Sequence, residues 1–435
     1  MVTGTGTACG FGLGTDALWS ALCEGRCAVA PVRAFDASGF RCAQAAELPA
    51  DFDIRQLVPK SYRKATKVMA RDIEIAVGAA DAAVRDAGLV TKGTAEGSPP
   101  TIAPNRFGCH IGAGLIACDV DELTAALVTS RTPAGGFDIN AWGSVGMTNL
   151  TPLWLLKYLP NMLACHVTII HDCHGPSNTI TCAEASGLLS MGESIRTVER
   201  GAADACLAGG AESKINPMGL IRQQFAGRLC ALPADGDART AVKPYAGEAD
   251  GSVLGEGGGL IVLEAEGTAR ARGATIRARV DGFAAGQCAC ADTVGLDLSG
   301  AAEDVAAAMS AALRDAGLEP ESIDAIIPMG TGIPSTDAAE RTAFQSVFGP
   351  RTAAIPLVTI MPAVGNCGAG TGALQAAVAV RCLESQRLPA RLGASSTDGV
   401  LAQAAPSSAA PLRHVMVVSA GLGGQVAVLI LGRAA

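Results

Sequence analysis

The chain repeats itself once, and that repeat limits the folds open to it more than any other feature. Residues 82–89 (AAVRDAGL) return as residues 311–318 (AALRDAGL). Each copy closes a stretch with apolar positions at three- and four-residue steps and stops on a glycine, the pattern of an amphipathic helix end. After a variable loop, each is followed by a short apolar strand that runs into a glycine turn, residues 106–114 (RFGCHIGAG) and 323–332 (IDAIIPMGTG). A second echo keeps the order. Residues 205–210 (ACLAGG) resemble 417–424 (VVSAGLGG), and the apolar strands 259–264 and 426–431 follow them. Chance reuse of helix ends does not account for two echoes in one order, so duplication is the better reading. Two similar α/β halves are expected, residues 1–265 and 266–435, joined near residues 264–268. Alternating strands and helices imply mainly parallel or mixed sheets covered on both faces.

Composition removes several function classes. Of 435 residues, 49% are hydrophobic and 17% charged, a balance that can bury a large core and excludes a disordered chain. The net charge is −8, no basic block recurs, and aromatics are only 4%, so nucleic acid is not an expected partner. Fifteen cysteines, an odd number without paired spacing, read as free thiols in a reducing cytoplasm. The N-terminal residues show no charged and apolar leader pattern. Residues 355–380 are uncharged but broken by Pro356, Pro362, Asn366 and several glycines. They read as a strand, a glycine-rich turn and a buried helix rather than a membrane span. Residues 91–104 and 393–411 are small, polar and Pro-containing, and read as surface loops.

An ordered set of short motifs resembles the β-ketoacyl synthase (ketosynthase) branch of the thiolase superfamily over nearly the whole chain. Val2-Thr3-Gly4 leads to Leu18-Trp19 and Glu24-Gly25. Pro160-Asn161-Met162 precedes His166, and Gly175-Pro176-Ser177 opens the strand where that family places its nucleophile. Asp250-Gly251, Gly255-Glu256-Gly257, Gly330-Thr331, Pro334, Asp337 and Glu340 follow in the family's order. The resemblance implies a thiolase-like five-layer αβαβα fold made of two duplicated halves, which agrees with the repeat read independently.

The family's chemistry uses a cysteine that takes an acyl group as a thioester and two histidines that support decarboxylation and enolate attack. The family seats its cysteine seven residues after the serine of Gly-Pro-Ser. From Ser177 that count reaches Glu184, as does the count of three back from Gly187. The histidine positions fall on Met329 and Asn366, and the associated lysine on Met361. The glycine-rich turn near the C-terminus, which in the family lines the substrate site, carries Ala420 and Leu422. A carboxylate cannot carry a thioester, and methionine cannot donate a hydrogen bond. The resemblance therefore implies a subunit that does not condense, like a chain-length factor, paired as a homodimer or heterodimer with a catalytic ketosynthase in fatty-acid or polyketide synthesis. The alternative is an enzyme with rewired acyl chemistry, using Glu184 as a base or Cys182, two residues away, as nucleophile. No cofactor is expected beyond phosphopantetheine carried on an acyl carrier protein. A carboxylate at a strand-to-helix turn is expected to meet helix-terminal N–H groups, so Glu184→Gln should be tolerated if the residue is a structural anion.

Other clusters are weighed against plainer readings. Arg63, Lys64, Lys67 and Arg71 gather near the start of the first clear helix; a solvated helix face is the plain reading, and the resemblance implies a docking patch for acyl carrier protein. The sequence 171–174 (HDCH) offers four metal-ligand types, but adjacent residues of an extended segment point to opposite faces, so a polar turn fits better. Cys288 and Cys290 are too close for a Cys-x-x-Cys site, and the glycines at 255–259 precede a strand, not the helix a dinucleotide fingerprint needs. Residues 185–200 should form the helix after the nucleophile turn, with Leu188, Met191 and Ile195 in the core.

Overall fold

The computed structural model describes residues 1–288, 301–393, 404–421 and 423–434. The principal elements of the first half are β1 (Val2–Cys9), α1 (Thr15–Cys23), α2 (Arg71–Asp86), β2 (Phe107–Ala113), α3 (Val120–Thr129), α4 (Met162–His171), β3 (Ser177–Ile180), α5 (Ser186–Glu199), β4 (Ala205–Ser213), α6 (Pro217–Phe225) and β5 (Leu254–Glu264). Those of the second are β6 (Ala278–Gln287), α7 (Ala302–Ala316), β7 (Ala325–Ile327), α8 (Pro334–Phe348), α9 (Thr371–Ser385), β8 (His414–Ala420) and β9 (Gln425–Arg433).

The strands of the first half lie in the order β3-β2-β4-β5-β1. The β3, β2 and β4 pairings are parallel, and β5 runs antiparallel to both β4 and β1. The second half repeats this. Leu357 bridges Ile326 of β7 in the place that β3 holds beside β2, and β7-β8-β9-β6 follow with one parallel and two antiparallel pairings. Both repeat segments end their helix on a left-handed glycine, Gly88 and Gly317. The duplication read from the sequence is thus a duplication of topology. The two sheets touch edge to edge through one pair, Val2 and Ala278.

Period-two alternation separates the core into layers. In β5, Ile261 and Leu263 face the middle of the molecule with Leu188 and Met191 of α5 and Leu374 of α9. Their neighbours Leu260 and Val262 face α2 and α4. In β9, Leu429 and Leu431 join the middle layer, while Val428 and Ile430 pack on α7 and α8. The layers run α2/α4, first sheet, α5/α9, second sheet, α7/α8. The middle helices sit tight on the sheet. A Cβ added at Gly112 would strike the backbone of Ser186, and one at Gly210 would strike the carbonyl of Ala369.

Some expectations are corrected. Residues 355–360 hold only the Leu357 bridge, and the glycine turn is two short helical pieces, Met361–Val364 and Gly368–Gly370, before the buried α9. The glycines at 255–259 lie inside β5 rather than ahead of it. The sequence 171–174 is a helix end: His171 closes α4, Asp172 caps it in left-handed geometry, and exposed His174 pairs back to Asp172 at 3.2 Å. Cys290 lies outside the described residues. Among the described residues no helix is long and apolar enough to cross a membrane.

Candidate functional site

Strand β3 ends at Ile180, and the chain turns sharply through Cys182 and a 3-10 turn, Ala183–Ala185, into α5. Ala183 takes a positive φ of 46°, a conformation costly for a residue with a Cβ. Ser186 locks the turn: its Oγ accepts from the Cys182 N–H at 2.7 Å and donates to the Ala183 carbonyl at 2.6 Å. Gly421 rests on this elbow, since a Cβ there would lie 3.2 Å from the Glu184 backbone N.

The elbow brings the three predicted positions together. Glu184 is buried, and its Oε1 receives the Asn366 side-chain amide at 3.2 Å and the guanidinium of Arg228. Asn366 is held in turn, its Oδ1 accepting the Gly368 N–H at 2.9 Å. Ser419 of β8 places its Oγ 2.9 Å from the Glu184 carbonyl oxygen and 3.4 Å from Met329 Sδ. Met329 is fully buried and packs in one apolar cluster with Met361. Ala420 is also buried, in the neighbouring cluster on the outer face of β8. Leu422 lies outside the described residues.

Two carboxyls hold the loop that presents Met329. Glu340 accepts the Met329 and Gly330 N–H groups at 2.9 and 3.0 Å, and Asp337 accepts those of Thr331 and Gly332 at 2.9 and 3.0 Å. Burial pushes Asp337 up to about 6; burial and then the neighbouring Asp337 push Glu340 up to about 7. Glu340 thus shares its proton about evenly with solvent near pH 7, although it faces backbone donors that favour its charged form.

Cys182 is half-buried, and burial raises its thiol above the ordinary value, the opposite of what a nucleophilic cysteine needs. Arg63, Lys64 and Lys67 stand exposed on a 3-10 run, Lys60–Val68, ahead of α2. That is not the first helix of the chain, because α1 precedes it. Arg71 leaves the patch: it turns inward to Glu256 at 2.9 Å and to Glu74 at 3.1 Å.

Arg228 is the residue that sequence reasoning missed. It follows Gly227, just past α6, and carries no motif of its own. The one available signal was physical: a carboxylate at a buried turn needs a cation, and few lie near it.

Family profiles now match the chain along most of its length. The profile described as "Beta-ketoacyl synthase, N-terminal domain" covers residues 1–269, and "Beta-ketoacyl synthase, C-terminal domain" covers residues 277–395. The chain belongs to the β-ketoacyl synthase family. It is 31% identical to a putative polyketide β-ketoacyl synthase 1 of Streptomyces cyaneus, over 100% of this chain and 98% of that one. It is 30% identical to the 3-oxoacyl-[acyl-carrier-protein] synthase 2 of Coxiella burnetii (strain RSA 493 / Nine Mile phase I), again over 100% and 98%. Among solved structures it resembles the ishigamide ketosynthase/chain length factor, with a TM-score of 0.81, 27% identity and coverage of 100% and 98%. The fold is accordingly thiolase-like, and the chain is a ketosynthase-type subunit of polyketide or fatty-acid synthesis.

Proposed function

We propose that this chain is the non-condensing, chain-length-factor-like member of a ketosynthase pair, working in the cytoplasm without metal or organic cofactor. The observation that carries this reading is Glu184 at the elbow, ion-paired to Arg228 and bonded to Asn366. A carboxylate so held occupies the place of the family's nucleophile and cannot accept an acyl group as a thioester. Its pairing with Arg228 also opposes use as a general base, because taking a proton would leave Arg228 buried beside a neutral partner.

Two further features support the pairing. Strand β3 ends the first sheet, and Ser177 and Asn178 on it are exposed. The neighbouring segment exposes large apolar side chains that a monomer would leave in water, among them Leu127, Val128, Phe137, Ile139 and Leu155. An interface joining β3 to a partner's strand would satisfy that edge and cover this patch. Acyl carrier protein would approach the exposed Arg63, Lys64 and Lys67, bringing the only phosphopantetheine involved.

The test is reconstitution. Incubation with acyl-CoA or acyl carrier thioesters should leave the intact mass of this chain unchanged. Co-expression with a ketosynthase that has its cysteine and both histidines should give a co-purifying pair that makes product. An acyl adduct on Cys182, or product from this chain alone, would overturn the reading.

A further inference from the structure

A cavity of about 850 Å³ lies away from the elbow, and no elbow residue lines it. Its volume falls within the roughly 300–1,000 Å³ typical of ligand sites. Residues 33–35 and 47–50, the start of α2, the end of β4 and the start of α3 border it. Leu48, Phe52, Ile116 and Tyr158 give it an apolar wall.

Three cations line the cavity, and each already faces a carboxylate. Arg33 meets Glu47 at 2.9 Å, Arg71 meets Glu256 at 2.9 Å, and Lys157 meets Glu122. Asp72, Asp119 and Asp121 line it too, and none of them makes an ion pair among the described residues. The two at α3 are exposed, but Asp72 is 3% exposed. One Asp72 oxygen accepts the Ser213 N–H at 3.1 Å. The other accepts no hydrogen bond from another residue among the described residues, and it is not sealed off from the cavity. Glu256 has no oxygen to spare: besides Arg71, it accepts the Leu48 N–H at 2.8 Å and the Ser213 hydroxyl at 3.0 Å.

A carboxyl oxygen at this depth gains from a donor, and a cavity whose own cations are all engaged gains most from a positive one. A guanidinium is a planar fork that wants two acceptors side by side, whereas Asp72 offers one oxygen. A primary ammonium is compact, so it can use that oxygen and leave its other N–H groups to water. The apolar wall then covers an aliphatic stem.

We propose that this cavity binds a small aliphatic amine as its ammonium, with Asp72 as the carboxylate that receives it. The site involves neither the elbow nor a partner subunit, so it stands or falls apart from the pairing reading.

Binding should move a proton. Burial and the charge of Glu212 hold the Asp72 carboxyl at about 7, so near pH 7 it carries about half a proton. The charged groups around it neutralise one another: Glu212 is held by Lys214 at 2.6 Å, and Glu256 and Glu74 by Arg71. An arriving ammonium favours the ionised carboxylate and expels that proton.

The test is isothermal titration calorimetry of the purified full chain at pH 7, in two buffers of different ionisation enthalpy, with n-hexylamine and n-hexanol as probes. The amine should bind about tenfold tighter than the alcohol or better, the worth of one hydrogen bond to a charged group, and release about half a proton. Asp72→Asn keeps an acceptor for the Ser213 N–H; it should lose about tenfold of that preference and release no proton. Asp119→Asn/Asp121→Asn, which changes only exposed charges, should stay within about threefold of the wild type. Circular dichroism checks that each variant is folded, and the proton count on the wild type needs no variant. No binding of the amine, an alcohol that binds as tightly, or amine binding without proton release overturns the proposal. So does a preference that survives Asp72→Asn but is lost in the Asp119/Asp121 variant.

Discussion

Replacing Glu184 by glutamine changes almost no volume, yet it should unsettle the fold; the tolerance that its sequence position suggested for Glu184→Gln is revised, because Glu184 pairs with the buried Arg228 guanidinium. The Glu184 and Arg228 side chains are 5% and 9% exposed, so solvent screens their attraction little. Glutamine keeps an oxygen for Asn366 but removes the counter-charge, and Arg228 already has a buried Nε without a partner among the described residues. Breaking such a pair from one side costs about 3–5 kcal/mol, because a charge is left buried and uncompensated. At about 2 cal/mol/K of unfolding entropy per residue, 435 residues give about 0.9 kcal/mol/K, so cooperative unfolding would start about 3–6 °C lower. Arg228→Met should cost a similar amount from the other side. The double variant Glu184→Gln/Arg228→Met removes both charges and should fall back to within about 1–2 °C of the parent, a coupling of about 5–8 kcal/mol in a double-mutant cycle. Differential scanning calorimetry at one protein concentration measures all four proteins. Single variants within 1 °C of the parent, or a double variant whose loss is the sum of the two singles, would refute the ion pair as the anchor of the elbow.

Three other outcomes follow from the same structure. Burial, with the charge of Glu212 adding to it, pushes the Asp72 carboxyl up to about 7; the fold therefore holds a proton that the unfolded chain releases above about pH 4, and stability falls as pH rises from about 4 to 7. Asp72→Asn can keep the acceptor for the Ser213 N–H at 3.1 Å, so its melting temperature relative to the parent should be higher at pH 8 than at pH 5; equal differences at both values would reject this. Because burial raises the Cys182 thiol, iodoacetamide at pH 7 should alkylate it more slowly than a free cysteine in a peptide, and peptide mapping that finds Cys182 labelled faster would remove the burial argument. Val128→Glu with Leu155→Glu should turn the assembled dimer into monomer on light scattering without lowering secondary structure, whereas an unaltered dimer would place the interface elsewhere.

How much of this was legible in the chain depends on the range of the interaction. The repeat of residues 82–89 at 311–318 gave both halves, because a helix end with a glycine stop is a local pattern that every copy must satisfy. Position 184 was legible only through the family resemblance, which fixes a spacing along a strand and its turn, and such a spacing is local. The Glu184–Arg228 contact joins residues 44 apart, and nothing between them has a period that predicts it. The same holds for Arg71, which sits in a basic run by sequence but faces Glu256 across the fold. Charge composition cannot tell a solvated cation from one whose partner lies 185 positions away. The missing β-strand at residues 355–360 has another cause: Pro356 removes one donor, and a single bridge to Ile326 is all that remains of the pairing that β3 makes in the first half.

That asymmetry between the halves bears on function. In the first half the strand before the middle helix is a true strand whose outer edge pairs with no other strand among the described residues, and the elbow after it carries a strained residue, Ala183. In the second half the equivalent chain is buried, and the turn after it presents Asn366 back toward the first elbow. One copy supplies the assembly edge and the elbow, and the other supplies the groups that close over it. Glu184 is where they meet, for its partners come from beyond α6 in the first half and from the turn before α9 in the second. If the elbow carried a cysteine, Arg228 would have no carboxylate to face and Asn366 would lose its acceptor. Restoring an acyl-accepting residue at position 184 alone should therefore destabilise the chain without creating a condensing enzyme, since the surrounding groups are fitted to an anion rather than to a thioester.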